Sequence, residues 1–221
     1  MYNPFVKSND PQHVTATICC TYKRPWWPYI QFMKKLFILL SFVFQAQYVF
    51  SATSLLPLKG QDLFSSKSIE IDLKQKKGVV VVFLSAKCPC SNSHITEIKN
   101  LASEYPDVSF VAIHSNADES VEFSKPYFEK MALPFPVIQD HNTEIADRLQ
   151  AFKTPHAFIL SNQGDIIYQG GVSNSKDCSK ADKLFLREAL VDLQSGQKIR
   201  TPEGRTLGCS IARGEKNEKS N

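Results

Sequence analysis

The sequence of 221 residues predicts an α/β fold, and three observations carry that prediction. Val79–Leu84 is an unbroken apolar run, the pattern of a strand buried on both faces. A helix pattern follows at once, opened by Cys88-Pro89-Cys90. Beyond it, strand-like and helix-like stretches alternate as far as Gln194.

The junction after Val79–Leu84 is the part of the chain with a chemical task. Proline is favoured at the first helical position, so Pro89 fits there and Cys88 becomes the N-cap. An N-cap side chain faces the free N–H groups of the first turn, and the helix dipole adds positive potential. Both favour a thiolate, so the Cys88 pKa is expected to be lowered. Lys87 adds a positive charge next door.

Taken in order, Ala52–Ser68 reads as a loop-rich approach and Ile69–Leu73 alternates like a strand. The helix after Cys88 puts Ile95, Ile98, Leu101, Ala102 and Tyr105 on one face, and Pro106-Asp107 ends it. Val108–Ile113 is a second strand leading to His114-Ser115-Asn116. Val121–Leu133 is a helix with an expected break near Pro126, on which Phe123, Tyr127 and Phe128 stand at core spacing. Phe135–Ile138 is a short strand and Thr143–Ala151 a short helix. Thr154-Pro155 leads into the strand His156–Leu160, and Asn162–Asp165 turns it into Ile166–Gln169. Ala181–Gln194 is the last amphipathic helix. A loop follows with Gly208-Cys209-Ser210-Ile211, then a polar tail, 212–221, expected to be disordered.

The first 52 residues do not belong to this core. Met33-Lys34-Lys35 opens a segment built like a secretory signal, with an apolar stretch Leu36–Phe44 and small residues near Ser51-Ala52. Gln45 and Gln47 interrupt it, leaving it short for a bilayer span. The expected organisation is an over-extended N-terminus at 1–32, a signal peptide at 33–51 and one domain at 52–211. An exported protein, periplasmic or secreted, follows, touching a membrane only through an uncleaved signal segment. Without residues 1–51 the chain carries 21 basic and 21 acidic residues, so no basic surface argues for nucleic acid. Four cysteines remain beyond that leader: Cys88, Cys90, Cys178 and Cys209. Four could make two structural disulfides, but a Cys-x-Cys pair opening a helix favours redox or metal chemistry.

The order of elements and five motifs resemble the thioredoxin-like superfamily, and within it the redoxin branch with the alkyl hydroperoxide reductase/thiol-specific antioxidant (peroxiredoxin-like) proteins. The motifs are FLSAKCPCSNSH (83–94), VAIHSNAD (111–118), LPFPVIQD (133–140), TPHAFILSNQGDIIYQG (154–170) and GCSI (208–211). The resemblance spans about Leu58 to Ile211 and implies a central mixed β-sheet flanked by helices, with active groups at the carboxyl ends of its central strands. It implies a cis bond before Pro155. Ser85 takes the place of the first cysteine of a thioredoxin Cys-x-x-Cys site. Against the peroxiredoxin pattern Pro-x-x-x-Thr-x-x-Cys, Cys88 matches the peroxidatic cysteine, Ser85 the peroxide-orienting hydroxyl, and Val81 stands where proline is expected. The peroxiredoxin arginine is replaced by Pro155.

On this reading the protein is a thiol-dependent oxidoreductase with no organic cofactor, acting on a disulfide or a peroxide and restored by a thiol reductant protein. Its candidate residues are Cys88, Ser85, Cys90, Pro155 and Cys209. Side chains at i and i+2 do not face each other on a helix, so a Cys88–Cys90 bond would distort the first turn. A distant cysteine on a mobile segment is the more comfortable partner for Cys88. Cys209 is preferred for its motif, and Cys178 is the other candidate, a spare surface thiol or a bridge to Cys209 in the bland reading. The alternative function is copper handling by Cys88, Cys90 and His94, since Cys90 and His94 stand at i, i+4. His94 as a plain helix-surface residue competes with that assignment. His114 and His156 could tune the thiol or simply be core-edge residues.

Overall fold

A computed structural model describes residues 57–71 and 76–214. The leader at 1–32 and 33–51, together with Asp72 and Leu73 of the expected early strand, lies outside the described residues. Fourteen elements of structure position the site. They are β1 (Lys59–Asp62), β2 (Ser68–Glu70), β3 (Gly78–Phe83), α1 (Pro89–Glu104), β4 (Ser109–His114), α2 (Val121–Met131), β5 (Val137–Gln139), α3 (Glu144–Arg148), β6 (Lys153–Thr154), β7 (His156–Ser161), β8 (Ile166–Gly170), a 3₁₀ turn (Cys178–Lys180), α4 (Phe185–Gln194) and β9 (Cys209–Ser210). A further short turn, His141–Thr143, runs into α3.

Seven strands form one mixed sheet in the order β2-β1-β5-β4-β3-β7-β8. β3 runs parallel to β4 and antiparallel to β7, so it lies inside the sheet with every residue buried. Alternation along β3 divides the core in two. Val80 and Val82 face Ile95, Ile98 and Leu101 of α1, Phe128 of α2 and Leu186 and Leu190 of α4. Val79, Val81 and Phe83 face Ile145, Ala146 and Leu149 around α3, with Ile211 closing that side. Each fully buried side chain of this size contributes about 1.5–3 kcal/mol, so the centre of the sheet is the rigid base of the site. Among the described residues, no helix is long and apolar enough to cross a membrane.

Several boundaries differ from the sequence expectation. The supposed loop at 52–68 contains β1, paired antiparallel with β2 and β5. Its turn is held by the Asp62 carboxylate, which accepts from the Phe64 and Ser65 N–H groups. α2 runs through Pro126 unbroken. Pro126 and Glu122, whose carbonyl loses its partner, both lie on the exposed face, so that carbonyl is not buried unpaired. α3 ends at Arg148, before a left-handed Gln150, and the Asp140 carboxylate caps it through the Ile145 and Ala146 N–H groups. α4 begins at Phe185 because residue 183 is tied back to Asn174 in both directions. The tail expected to be disordered from 212 is still fixed at first: Ala117 donates to the Ala212 carbonyl and Arg213 pairs with Asp147. Residues 215–221 lie outside the described residues.

Candidate active site

Cys88 is the N-cap of α1, in extended backbone geometry, with Pro89 at the first helical position. Its Sγ accepts from the Ser91 N–H at 3.5 Å, and as a thiol it donates to the Thr154 carbonyl at 3.1 Å. The residue is 2% exposed. The Thr154–Pro155 peptide bond is cis.

Cys209 arrives from the far end of the chain. Its segment, expected to be a mobile loop, is instead strand β9, paired antiparallel with β6 so that Thr154 is opposite Cys209. Gly208 makes this approach feasible: a Cβ there would stand 2.0 Å from the Thr154 carbonyl oxygen. Ile211 continues the crossing by donating to the Phe152 carbonyl. As a result the sulfurs of Cys88, Cys90 and Cys209 all lie within 4.8 Å of one another. Cys88 and Cys90 are closer than i, i+2 residues of a helix would be, because Cys88 has left the helical conformation.

The electrostatics separate the three thiols. Burial pushes the Cys88 thiol up, but hydrogen bonds outweigh it and bring the pKa down to about 7. They come first from the Cys209 thiol, and then from the Ser91 and Cys209 N–H groups. Cys209 is pushed up to about 12, first by burial, then by the bond it gives Cys88 and by the charges on Cys88 and Cys90. Cys90 is also raised, by burial and by the neighbouring Cys88 charge. One thiolate therefore forms at the helix end while its two neighbours hold their protons.

Ser85 has a different post from the expected peroxide-orienting one. Its hydroxyl donates to Glu119, and its oxygen accepts the Cys88 N–H at 3.1 Å. With its proton committed to a carboxylate, it fixes the loop beneath Cys88 and has none to offer a peroxide. Glu119 is 3% exposed and also accepts from the Ala86 N–H at 2.7 Å and the Asn116 amide at 2.6 Å. The sequence reading did not single out Glu119. The signal was its place just after VAIHSNAD, where an acid beside a strand end can reach the cysteine loop.

His94 is neither on the surface nor a partner of the sulfurs. It is 1% exposed. Its Nδ1–H donates to the Cys90 carbonyl at 2.7 Å, which makes Nε2 the acceptor from the Ser173 hydroxyl at 2.8 Å. The Cys88, Cys90, His94 ligand set is thus not assembled, and Cys209 stands where a third ligand would. Cys178 packs beside Ser93, outside the three-sulfur cluster, and burial together with Glu97 and Asp177 raises its pKa. His114 is buried 3.9 Å from Glu119 and against Phe128, and burial lowers its pKa. His156 lies on Phe158, and burial lowers it to about 4, so it stays neutral. Phe123, expected in the core, is 50% exposed beneath the Lys87 ammonium; only Phe128 of that trio is fully buried.

A cysteine-capped helix after the central strand, facing a cis-proline turn, is the geometry that the redoxin resemblance implies, and the redoxin family profile matches residues 52–185. The chain belongs to the redoxin family. Cys209 lies outside the matched span of this redoxin. Over 109 residues it is 24% identical to the thiol-disulfide oxidoreductase ResA of Halalkalibacterium halodurans, covering 48% of this chain and 62% of that protein. The redoxin therefore spans less than two thirds of that relative's length. A crystal structure of an uncharacterized conserved protein from Geobacillus kaustophilus superposes with a TM-score of 0.66 at 26% identity, over 73% of this chain and 91% of that one. A hypothetical protein from Sinorhizobium meliloti 1021 gives the same TM-score, 0.66, at 21% identity over 74% and 94% of the two chains. These two share the thioredoxin-like fold over nearly their whole length.

Proposed function

We propose that this redoxin is a thiol–disulfide oxidoreductase in which Cys88 attacks and Cys209 closes. The observation that carries the reading is the three-sulfur cluster, with a helix-capping thiolate at its centre and a second cysteine held opposite by β9. The 24% identity to a thiol-disulfide oxidoreductase supports it.

The Cys88 thiolate attacks one sulfur of a substrate disulfide. The S–S bond breaks, and the departing substrate sulfur leaves with the electron pair. Cys88 is then bonded to the substrate and uncharged. That removes the bond and the charge that hold the Cys209 proton, so Cys209 becomes easier to deprotonate. Its proton passes to the departed substrate thiolate. Cys209 then attacks the Cys88 sulfur, expelling the second substrate thiolate and leaving a Cys88–Cys209 disulfide. An external dithiol protein reduces that bond and is itself oxidised. Pro155 and Thr154 form the wall against which the substrate chain meets Cys88.

Peroxide is the slower substrate on this reading. Cleaving an O–O bond calls for donors aimed at the leaving oxygen, and one missing donor of this kind costs about two to three orders of magnitude. Ser85 spends its proton on Glu119, and Pro155 occupies the expected arginine position. Stopped-flow oxidation by hydrogen peroxide, run beside exchange with a small disulfide, tests the ranking. Exchange should be the faster reaction, and peroxide consumption at the pace of arginine-bearing peroxiredoxins would reverse the assignment. We place the protein outside the cytoplasm, on the signal-like pattern at 33–51. Cell fractionation tests this; recovery of the protein in the cytoplasmic fraction would refute it.

A further inference from the structure

Two cysteines complete the exchange, and Cys90 is left over. Its sulfur nevertheless lies within 4.8 Å of the other two. We infer that the reduced Cys88, Cys90 and Cys209 together form a three-sulfur site for a single Cu(I) ion. This goes beyond the exchange reaction and does not depend on it.

Metal–thiolate bonds of about 2.3 Å set the three sulfurs of a trigonal site about 4 Å apart. The observed spacing, with every pair inside 4.8 Å, reaches that by a small inward movement. The donor set selects the metal. All three donors are soft sulfur, which favours Cu(I) over oxygen-seeking cations. A structural zinc closes with four ligands, and among the described residues no fourth cysteine, histidine or carboxylate joins the group. His94 has both ring nitrogens engaged elsewhere.

The anchors are also rigid. Cys88 caps a helix of 16 residues, Cys90 stands in its first turn, and Cys209 lies on a strand held by its pairing with β6. Three thiolates around one Cu(I) leave two negative charges. The N-terminus of α1 faces them, the Ser91 and Cys209 N–H groups act on Cys88, and the Lys176 charge acts on Cys90. The displaced protons leave to solvent. A Cys88–Cys209 disulfide would remove two of the three donors, so copper occupancy and oxidation exclude each other.

The test uses the full chain with Cys19→Ser and Cys20→Ser, reduced and kept free of oxygen. Cu(I) is titrated against a bicinchoninate competitor, and the copper environment is read by X-ray absorption. One Cu(I) per chain is expected, with three sulfurs in a single shell near about 2.3 Å and no nitrogen or oxygen neighbour. Losing a second-shell partner costs about 10–100-fold in metal affinity, so Cys209→Ser, which removes a ligand, should cost at least about 100-fold. Cys90→Ser should do the same, and circular dichroism checks that both variants fold. Cys178→Ser should bind as tightly as the parent. Unchanged affinity in folded Cys209→Ser or Cys90→Ser, a two-sulfur or nitrogen-bearing shell, or no stoichiometric binding would overturn the assignment.

Discussion

Cys88 and Cys209 belong to one cluster, yet the regions that carry them are built on different principles. Cys88 sits at the end of the central strand, where β3 is buried throughout and α1 is anchored by Ile95, Ile98 and Leu101. Its loop is braced from below by Ser85 and Glu119. Cys209 rides on a two-residue strand that pairs with β6. The first region supplies positive potential through free N–H groups. The second supplies a proton and places it beside a charge. The titration follows the setting: about 7 for Cys88 and about 12 for Cys209. Identical thiols in one cluster thus differ in ionisation through their settings.

The sharpest way to break the contrast is to remove the attacker. Cys88→Ser should lower the rate of small-disulfide reduction by at least about three orders of magnitude, since nothing else in the cluster ionises near neutral pH. Cys209→Ser should still attack but stall as a mixed disulfide, visible as an adduct by intact-mass measurement. An equal loss of the first step in both variants would erase the distinction.

Gly208 is the next lever. In Gly208→Ala the new Cβ would meet the Thr154 carbonyl at 2.0 Å, so β9 must move away from β6. Overpacking of this kind costs about 1–3 kcal/mol, read as a lower Tm. Formation of the Cys88–Cys209 bond should slow with it, while alkylation of Cys88 continues. A variant that closes that bond at the parent rate would show that β9 does not depend on the glycine.

The acid–base contrast can be sharpened directly. In the metal-free reduced protein, iodoacetamide should modify Cys88 first, with a midpoint at about 7, and reach Cys209 only after Cys88 has reacted. Stability carries the same signs. Cys88 ionises more readily folded than unfolded, so its contribution is present above the unfolded value of 9.0 and is lost as pH falls through about 7. Cys209 holds its proton longer when folded, so its contribution is present below 9.0 and is lost as pH rises toward about 12. Urea melts across both windows, compared with Cys88→Ser and Cys209→Ser, check the two slopes.

The smallest expected effect is at the end of the crossing segment. Arg213 donates to Asp147 and to the Ala151 carbonyl and lies over the Phe152 ring. The pair is partly exposed, so Arg213→Ala should cost no more than about 1 kcal/mol in a thermal melt and leave the Cys88 midpoint in place. A shift of that midpoint would mean that the ion pair sets the position of β9.

The same two regions mark how far the sequence can be read. The Cys88 end was legible because its causes are local: an apolar run, a cap, a proline and a helical period lie within a few residues of each other. The fold class followed from the alternation of such stretches. The Cys209 end was legible only as a motif. A two-residue strand is specified by its partner across the chain, and GCSI has no period to reveal it. β1 stayed hidden for a similar reason, since KGQD has too few apolar residues to show alternation. Glu119 and His94 were missed or misplaced because residue type does not say whether a polar group is buried. That depends on partners, here Asn116 and Ser85 for the acid and Ser173 for the imidazole. Phe123 is the converse, an aromatic residue at core spacing left exposed on the helix bearing buried Phe128.

The crossing of β9 over β6 also has a consequence in time. A ribosome releases Cys88 and Cys90 together, early in the domain, and Cys209 only after the last helix has been made. An unfinished chain, or one clipped ahead of β9, has Cys88 at its helix end but lacks both the Cys209 groups that lower its pKa and the strand that carries the closing sulfur. On the proposed exchange, such a molecule has no Cys209 to close the reaction. For that proposed exchange, complete synthesis is therefore a condition of turnover, because the last short strand supplies both the closing sulfur and part of what ionises Cys88.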